Sequence, residues 1–125
     1  MEILTLQSAD APAAIGPYVQ ATEVHGFLFL SGQLGIDANT GVLPEAIVEQ
    51  TQNSLANISS ILKEAGLTKQ NIVKTTIFLT DMNDFAAVNE IYATFFGSGF
   101  PARSCVAVKS LPKGAAVEIE CIAAR

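Results

Sequence analysis

Apolar residues recur along the chain at two periods. Val48, Thr51, Leu55, Ile58, Leu62 and Ala65 step by three and four, one stripe of an amphipathic helix, and Gly66 stands where a left-handed residue ends one. A second stripe runs Phe85, Val88, Tyr92, Phe95 and is closed by Gly97, with Asp81 or Asn83 as its N-cap. The other apolar segments read as strands. Residues 73–80 are β-branched and aromatic; 18–24 and 27–32 flank His25-Gly26, a hairpin turn; 104–109 and 116–124 flank Leu111-Pro112-Lys113-Gly114, a stronger turn signal. Residues Ile3–Leu6 offer a short first strand. Along 116–124, Val117, Ile119, Cys121 and Ala123 face one way and Glu118 and Glu120 the other. The order β-β-β-α-β-α-β-β predicts an α+β layer, a sheet covered on one face by two helices. Its second face needs another subunit or must be wet.

Composition sharpens that point. The chain has 125 residues, 50% apolar and only 15% charged, with a net charge of −5. One domain over residues 1–125 fits this length, and so small a monomer would expose part of its apolar surface, which hints at an oligomer. A pI of about 4.6 argues against a nucleic-acid groove, which needs clustered cations. No apolar run approaches the ~18 residues of a membrane span. Met1-Glu2 opens without the basic stretch of a secretory signal, and two cysteines make no disulfide framework. The expectation is a cytoplasmic protein with reduced thiols.

Chemistry-bearing residues are few. His25, the single histidine, reads as a turn residue. No cluster has metal-ligand spacing, and Gly97-Ser98-Gly99 leads to Pro101 rather than into a helix, so it is no phosphate cradle. Cys105 and Cys121 lie in apolar strands, as small buried hydrophobes do. Glu118 and Glu120 read by pattern as a solvated strand face. Arg103, at the entrance to a strand, is one of two arginines. Its planar fork suits bidentate capture of a carboxylate, and a surface ion pair accounts for it equally well.

Five segments then occur in a recognisable order: Ala11-Pro12-Ala13-Ala14-Ile15-Gly16-Pro17-Tyr18, Leu30-Ser31-Gly32-Gln33, Val73-Lys74-Thr75-Thr76, Asp84-Phe85-Ala86-Ala87-Val88-Asn89 and Phe100-Pro101-Ala102-Arg103-Ser104-Cys105-Val106. Together they closely resemble the RidA (YjgF) family over nearly the whole chain. The resemblance implies a chorismate-mutase-like α+β unit assembled as a homotrimer, with the sheets packed inward and sites between adjacent subunits. It implies hydrolytic deamination of reactive 2-imino acids, the tautomers of enamines released by pyridoxal-phosphate enzymes, to 2-oxo acids and ammonia. Neither a metal nor a cofactor is implied. Residue by residue, Arg103 matches the arginine that grips the substrate carboxylate, and Glu118 the glutamate that positions and polarises the attacking water. Tyr18 and Ser31 match cleft-lining residues, Gly32 contributes backbone, Cys105 matches a position whose main chain faces the imine, and Phe85 and Asn89 match helix positions near the cleft.

Hydrolysis of an imine needs an anchor for a small anion and an ordered water, not a strong nucleophile, so the want of a histidine pair is consistent with it. Two alternatives stand beside the enzyme. A trimeric regulatory protein that only binds a small carboxylate would use Arg103 but gain nothing from Glu118, which repels an anion. RNA cleavage or translation inhibition would need a basic, aromatic-interleaved stripe, and this acidic chain shows none.

Overall fold

In the computed structural model, which describes residues 1–125, the elements are β1 (Leu4–Leu6), β2 (Ala21–Val24), β3 (Phe27–Leu34), α1 (Ile47–Glu64), β4 (Ile72–Leu79), α2 (Phe85–Phe96), β5 (Ala102–Ala107) and β6 (Val117–Ala124). This is the expected order. The strands form one mixed sheet, β1-β2-β3-β6-β4-β5. Only β4 and β5 run parallel, because α2 supplies the crossover that a parallel pair requires. His25 and Gly26, with φ of 51° and 80°, make the two-residue turn between β2 and β3, where Val24 faces Phe27 across the hairpin.

Three expectations need correction. The turn around Lys113-Gly114 forms, but the strands it connects are not neighbours: β6 inserts between β3 and β4, antiparallel to both. Residues 18–20 precede β2, so Tyr18 lies on a loop rather than in a strand. Strand β5 starts at Ala102, which places Arg103 inside the ladder opposite Thr75 rather than at its entrance. As for the caps, Asp81 accepts a hydrogen bond from Asn83 N at 2.9 Å and so caps the short 3-10 turn Met82–Asp84 that leads into α2.

Helix α1 buries a wider and more polar face than its apolar stripe announces. Val48 is exposed, whereas Gln50, Ser54 and Asn57 are buried. Strand β3 ends at Leu34, and α1 packs along its last residues and the loop that follows. Ser54 Oγ donates to Gln33 O, and Asn57 Nδ2 to Leu34 O and Ile36 O, so α1 supplies donors to these carbonyls. Gly35 permits this approach, since a Cβ there would overlap the Gln50 backbone.

The core lies between this helical layer and one sheet face. Leu28, Leu30, Ile77, Leu79, Val117 and Ile119 point into it, against Leu55, Ile58, Ile61, Leu62 and Val88. The opposite face carries Phe27 and Phe29, which remain 46% and 43% exposed, with Phe78, Ile122 and Val106 on neighbouring strands. Pleating accounts for both lists: alternate residues of each strand go to opposite faces. No helix is long and apolar enough to cross a membrane.

Candidate active site

Arg103 and Cys105 pair with Thr75 and Ile77, whose side chains are buried towards the helices, so β5 presents both on the helical side of the sheet. Helix α2 meets them there. Phe85, Asn89 and Tyr92 are spaced i, i+4, i+7 and share one helix face. Arg103 Nη1 donates to Asn89 Oδ1 at 2.6 Å. Its guanidinium carbon stands 4.9 Å from the centroid of the Tyr92 ring and 5.6 Å from that of Phe85, both within cation–π range. The one ion pair of the chain joins Arg125 to Glu23. The surface ion pair that the sequence left open for Arg103 is therefore not formed. With one of five N–H groups engaged and no carboxylate beside it, the exposed guanidinium is an anion-binding fork.

Cys105 is half-buried, and that burial raises its thiol pKa, with the charge of Arg103 opposing the shift. It stays a thiol at neutral pH, which makes it a poor nucleophile. Burial pushes Cys121 further, to about 12.

The second group of residues lies on the other side of the sheet. Glu118 alternates with the buried Val117 and Ile119, and so projects from the open face. Opposite it the β3 register shifts between Leu30 and Gln33, a bulge made by Ser31 and Gly32. Gly32 leaves the space that the Glu118 side chain fills, because a Cβ there would lie 2.7 Å from Glu118 Cδ. Ser31 turns outward to the loop before β2: its Oγ donates to Val19 O at 2.6 Å and its N–H to Gln20 O at 2.9 Å. The hydroxyl proton of Ser31 is thus spent on fixing the segment that carries Tyr18, itself 53% exposed. Burial, and then the nearby charge of Glu120, raise the pKa of Glu118. A carboxylate held this way is an avid proton acceptor.

Sequence reasoning named eight residues, and the chain sorts them into two sets separated by the sheet. Arg103, Cys105, Phe85 and Asn89 form one; Glu118, Gly32, Ser31 and the Tyr18 loop form the other. Two cavities of about 410 and 390 Å³, one between the helices and one beside Asp37, contain none of them. Tyr92 went unnoticed because it reads as core in the apolar stripe. The polar Asn89 beside that stripe, three residues before Tyr92, is the available signal.

A sheet with two helices on one face, an unneutralised guanidinium at its edge and a carboxyl of raised pKa on its open face define an α+β protein chemically equipped to take a small anion. The comparisons with known proteins give the family. A family model described as Endoribonuclease L-PSP matches residues 8–125, and the chain belongs to this, the RidA (YjgF) family. It is 50% identical over 119 residues to a mouse protein named 2-iminobutanoate/2-iminopropanoate deaminase, covering 94% of this chain and 88% of that one. A Rid-family protein of Yersinia pestis superposes with a TM-score of 0.96 at 51% identity, covering 99% of this chain and all of the other. The Escherichia coli protein TdcF, solved with bound serine, superposes with a TM-score of 0.94 at 43% identity, with 98% of each chain covered.

Proposed function

We infer that this chain is a 2-iminobutanoate/2-iminopropanoate deaminase, folded as one domain over residues 1–125 and acting as a homotrimer. The observation that carries the reading is Arg103: a guanidinium held by Asn89 and two aromatic rings, with no carboxylate of its own to neutralise it. The names of relatives at half identity supply the substrate class, and the serine bound in TdcF is a small molecule that carries the same α-carboxylate. The separation of Arg103 from Glu118 by the sheet supports an intersubunit site. Packing the open faces inward would cover Phe27 and Phe29 and bring Glu118, Gly32, Ser31 and Tyr18 of one subunit to Arg103 and Cys105 of the next.

In such a site the guanidinium takes the substrate carboxylate bidentately and fixes the imine carbon over an ordered water. Glu118 accepts a proton from the water as its oxygen bonds to the iminium carbon, giving a carbinolamine. Glu118 returns that proton to the amino nitrogen and accepts the hydroxyl proton of the carbinolamine as the C–N bond breaks, so ammonia leaves and the carbonyl of the 2-oxo acid forms. Cys105 contributes main chain, Phe85 and Asn89 support the arginine, and no covalent intermediate is needed. Nucleic acid is a poor fit for a chain with net charge −5, despite the family description.

The test couples a serine or threonine dehydratase to this protein and follows oxo-acid release. Faster release of pyruvate or 2-oxobutanoate than the spontaneous rate is expected, and an unchanged rate would remove the enzyme. Light scattering would check the assembly: a stable monomer at micromolar concentration would sink the trimer and the shared site together.

A further inference from the structure

The deaminase reading uses Arg103 and leaves one buried polar group on α2 without a task. Tyr92 is 4% exposed, and its hydroxyl lies 2.6 Å from Thr75 Oγ1, itself 1% exposed. Thr75 is the cross-strand partner of Arg103 in the β4–β5 ladder. The Tyr92 ring has Phe96 beside it at 4.7 Å between centroids, and the Arg103 guanidinium over its face at 4.9 Å. Three links therefore close a ring: Arg103 to Thr75 through the strand pair, Thr75 to Tyr92 through the hydrogen bond, and Tyr92 to Arg103 through the π face; Asn89 holds Arg103 from outside it, one turn earlier on α2.

We propose that Tyr92, pinned by Thr75, is a positioning residue that sets the plane of the Arg103 guanidinium and thereby the strength of carboxylate capture. The proposal rests on the assignment of Arg103 as the anchor. Bidentate capture depends on the orientation of a flat group at the end of a side chain that is otherwise free to rotate. Asn89 holds one nitrogen, which leaves rotation about that contact open. An aromatic face beneath the guanidinium removes this freedom, provided the ring itself cannot tilt. Phe96 packs against one side of the ring, and the Thr75 hydroxyl fixes its far end. Hydrophobic packing alone would be met by phenylalanine; the buried hydroxyl pair is the feature that packing leaves unexplained.

Three variants test the idea: Tyr92→Phe, Thr75→Val and the double variant. Each single change strands a buried hydroxyl, so melting temperature should fall. The double change removes both hydroxyls, so melting temperature should recover. Affinity for 2-oxobutanoate by calorimetry should weaken about 3- to 10-fold in all three, the size of one hydrogen bond, and should not recover in the double variant. KM should rise by a similar factor in the coupled assay while kcat changes much less. The Arg103 Nε–Hε signal in nitrogen-15 spectra should show greater mobility in every variant than in the parent. Affinity that recovers with melting temperature, or an Arg103 signal unchanged in Tyr92→Phe, would overturn the proposal. A parent protein without turnover would instead defeat the deaminase reading, and the Arg103 signal would still decide whether Tyr92 orients it.

Discussion

Arg103 and Glu118 stand on strands separated only by β4, yet their surroundings differ in kind. On the helical face, α2 brings Asn89, Phe85 and Tyr92 against Arg103, so the cation is fixed within its own chain. On the open face, Glu118 has the cleared space at Gly32 beside it and a second carboxylate, Glu120, near enough to raise its pKa further. Arg103 is held by neighbours from its own chain, whereas Glu118 has only open space and a like charge beside it. The difference teaches that a sheet can keep two reactive charges from neutralising each other simply by projecting them from opposite faces. In the proposed assembly they would meet across a subunit boundary, with the substrate between them.

The largest effect expected follows from removing the anchor. Loss of one member of a desolvated charge pair costs ~2–5 kcal/mol, so Arg103→Ala should lower kcat/KM by roughly 30- to several thousand-fold and weaken 2-oxobutanoate binding in parallel. Arg103→Lys should rescue poorly, as a point charge lacks the fork. Unchanged affinity in calorimetry would dismiss Arg103 as the anchor.

Glu118→Gln should divide binding from turnover. It keeps the shape of the side chain and leaves the anchor in place, so oxo acids bind at least as well, whereas kcat falls by about 10²- to 10⁴-fold with the proton acceptor gone. A purely carboxylate-binding protein would lose nothing here. Mixing the Arg103→Ala and Glu118→Gln proteins under subunit exchange sharpens the comparison. Each mixed trimer regains one intact site of three, so about a quarter of parental activity should return at equal ratio. No recovery in verified mixed trimers would show that the two residues work within one chain.

The same variant has a smaller signature in stability. The folded-state pKa of Glu118 is raised, so between the ordinary carboxylate range and that raised value the native state holds more protons than the unfolded one. Stability from this group is present at low pH and is lost as pH rises through that window. Glu118→Gln should therefore melt higher than the parent at pH 7, with the gap closing below pH 4.5, the reference value for the group. A gap that widens on acidification would reverse the sign of the burial effect.

Gly32→Ala should show the cost of crowding the open half. Its Cβ would press on the Glu118 carboxyl, so activity should drop about 10-fold or more while binding of oxo acids through Arg103 falls far less. Equal activity would mean that the carboxylate has room to move without consequence. The smallest change is expected for Cys105→Ser. With its thiol pKa raised by burial, the sulfur contributes packing rather than attack, and turnover should stay within a few-fold of the parent. Complete loss of activity in a folded trimer would reinstate a nucleophilic cysteine.

Periodicity carried the layer architecture, because a helix or strand that buries one face writes that face into the sequence at period 3.6 or 2. The stripe ending at Ala65 and Gly66, the His25-Gly26 hairpin and the alternation of Val117, Glu118 and Ile119 were all legible for this reason. The identity of Arg103 and Glu118 as candidates was legible too, through motif resemblance. Strand order was not: nothing local tells β6 to enter between β3 and β4, since that choice depends on pairing partners far apart in the chain. Nor could the pattern show that Ser54 and Asn57 bind β3 carbonyls, because polar residues enter a buried face only when distant backbone groups need them. The sequence by itself therefore determined the elements, their faces and the charged groups available for chemistry. Tertiary structure alone decided that the sheet divides those groups between its two faces, and that Tyr92 and Thr75 converge on Arg103, because both depend on which strands became neighbours.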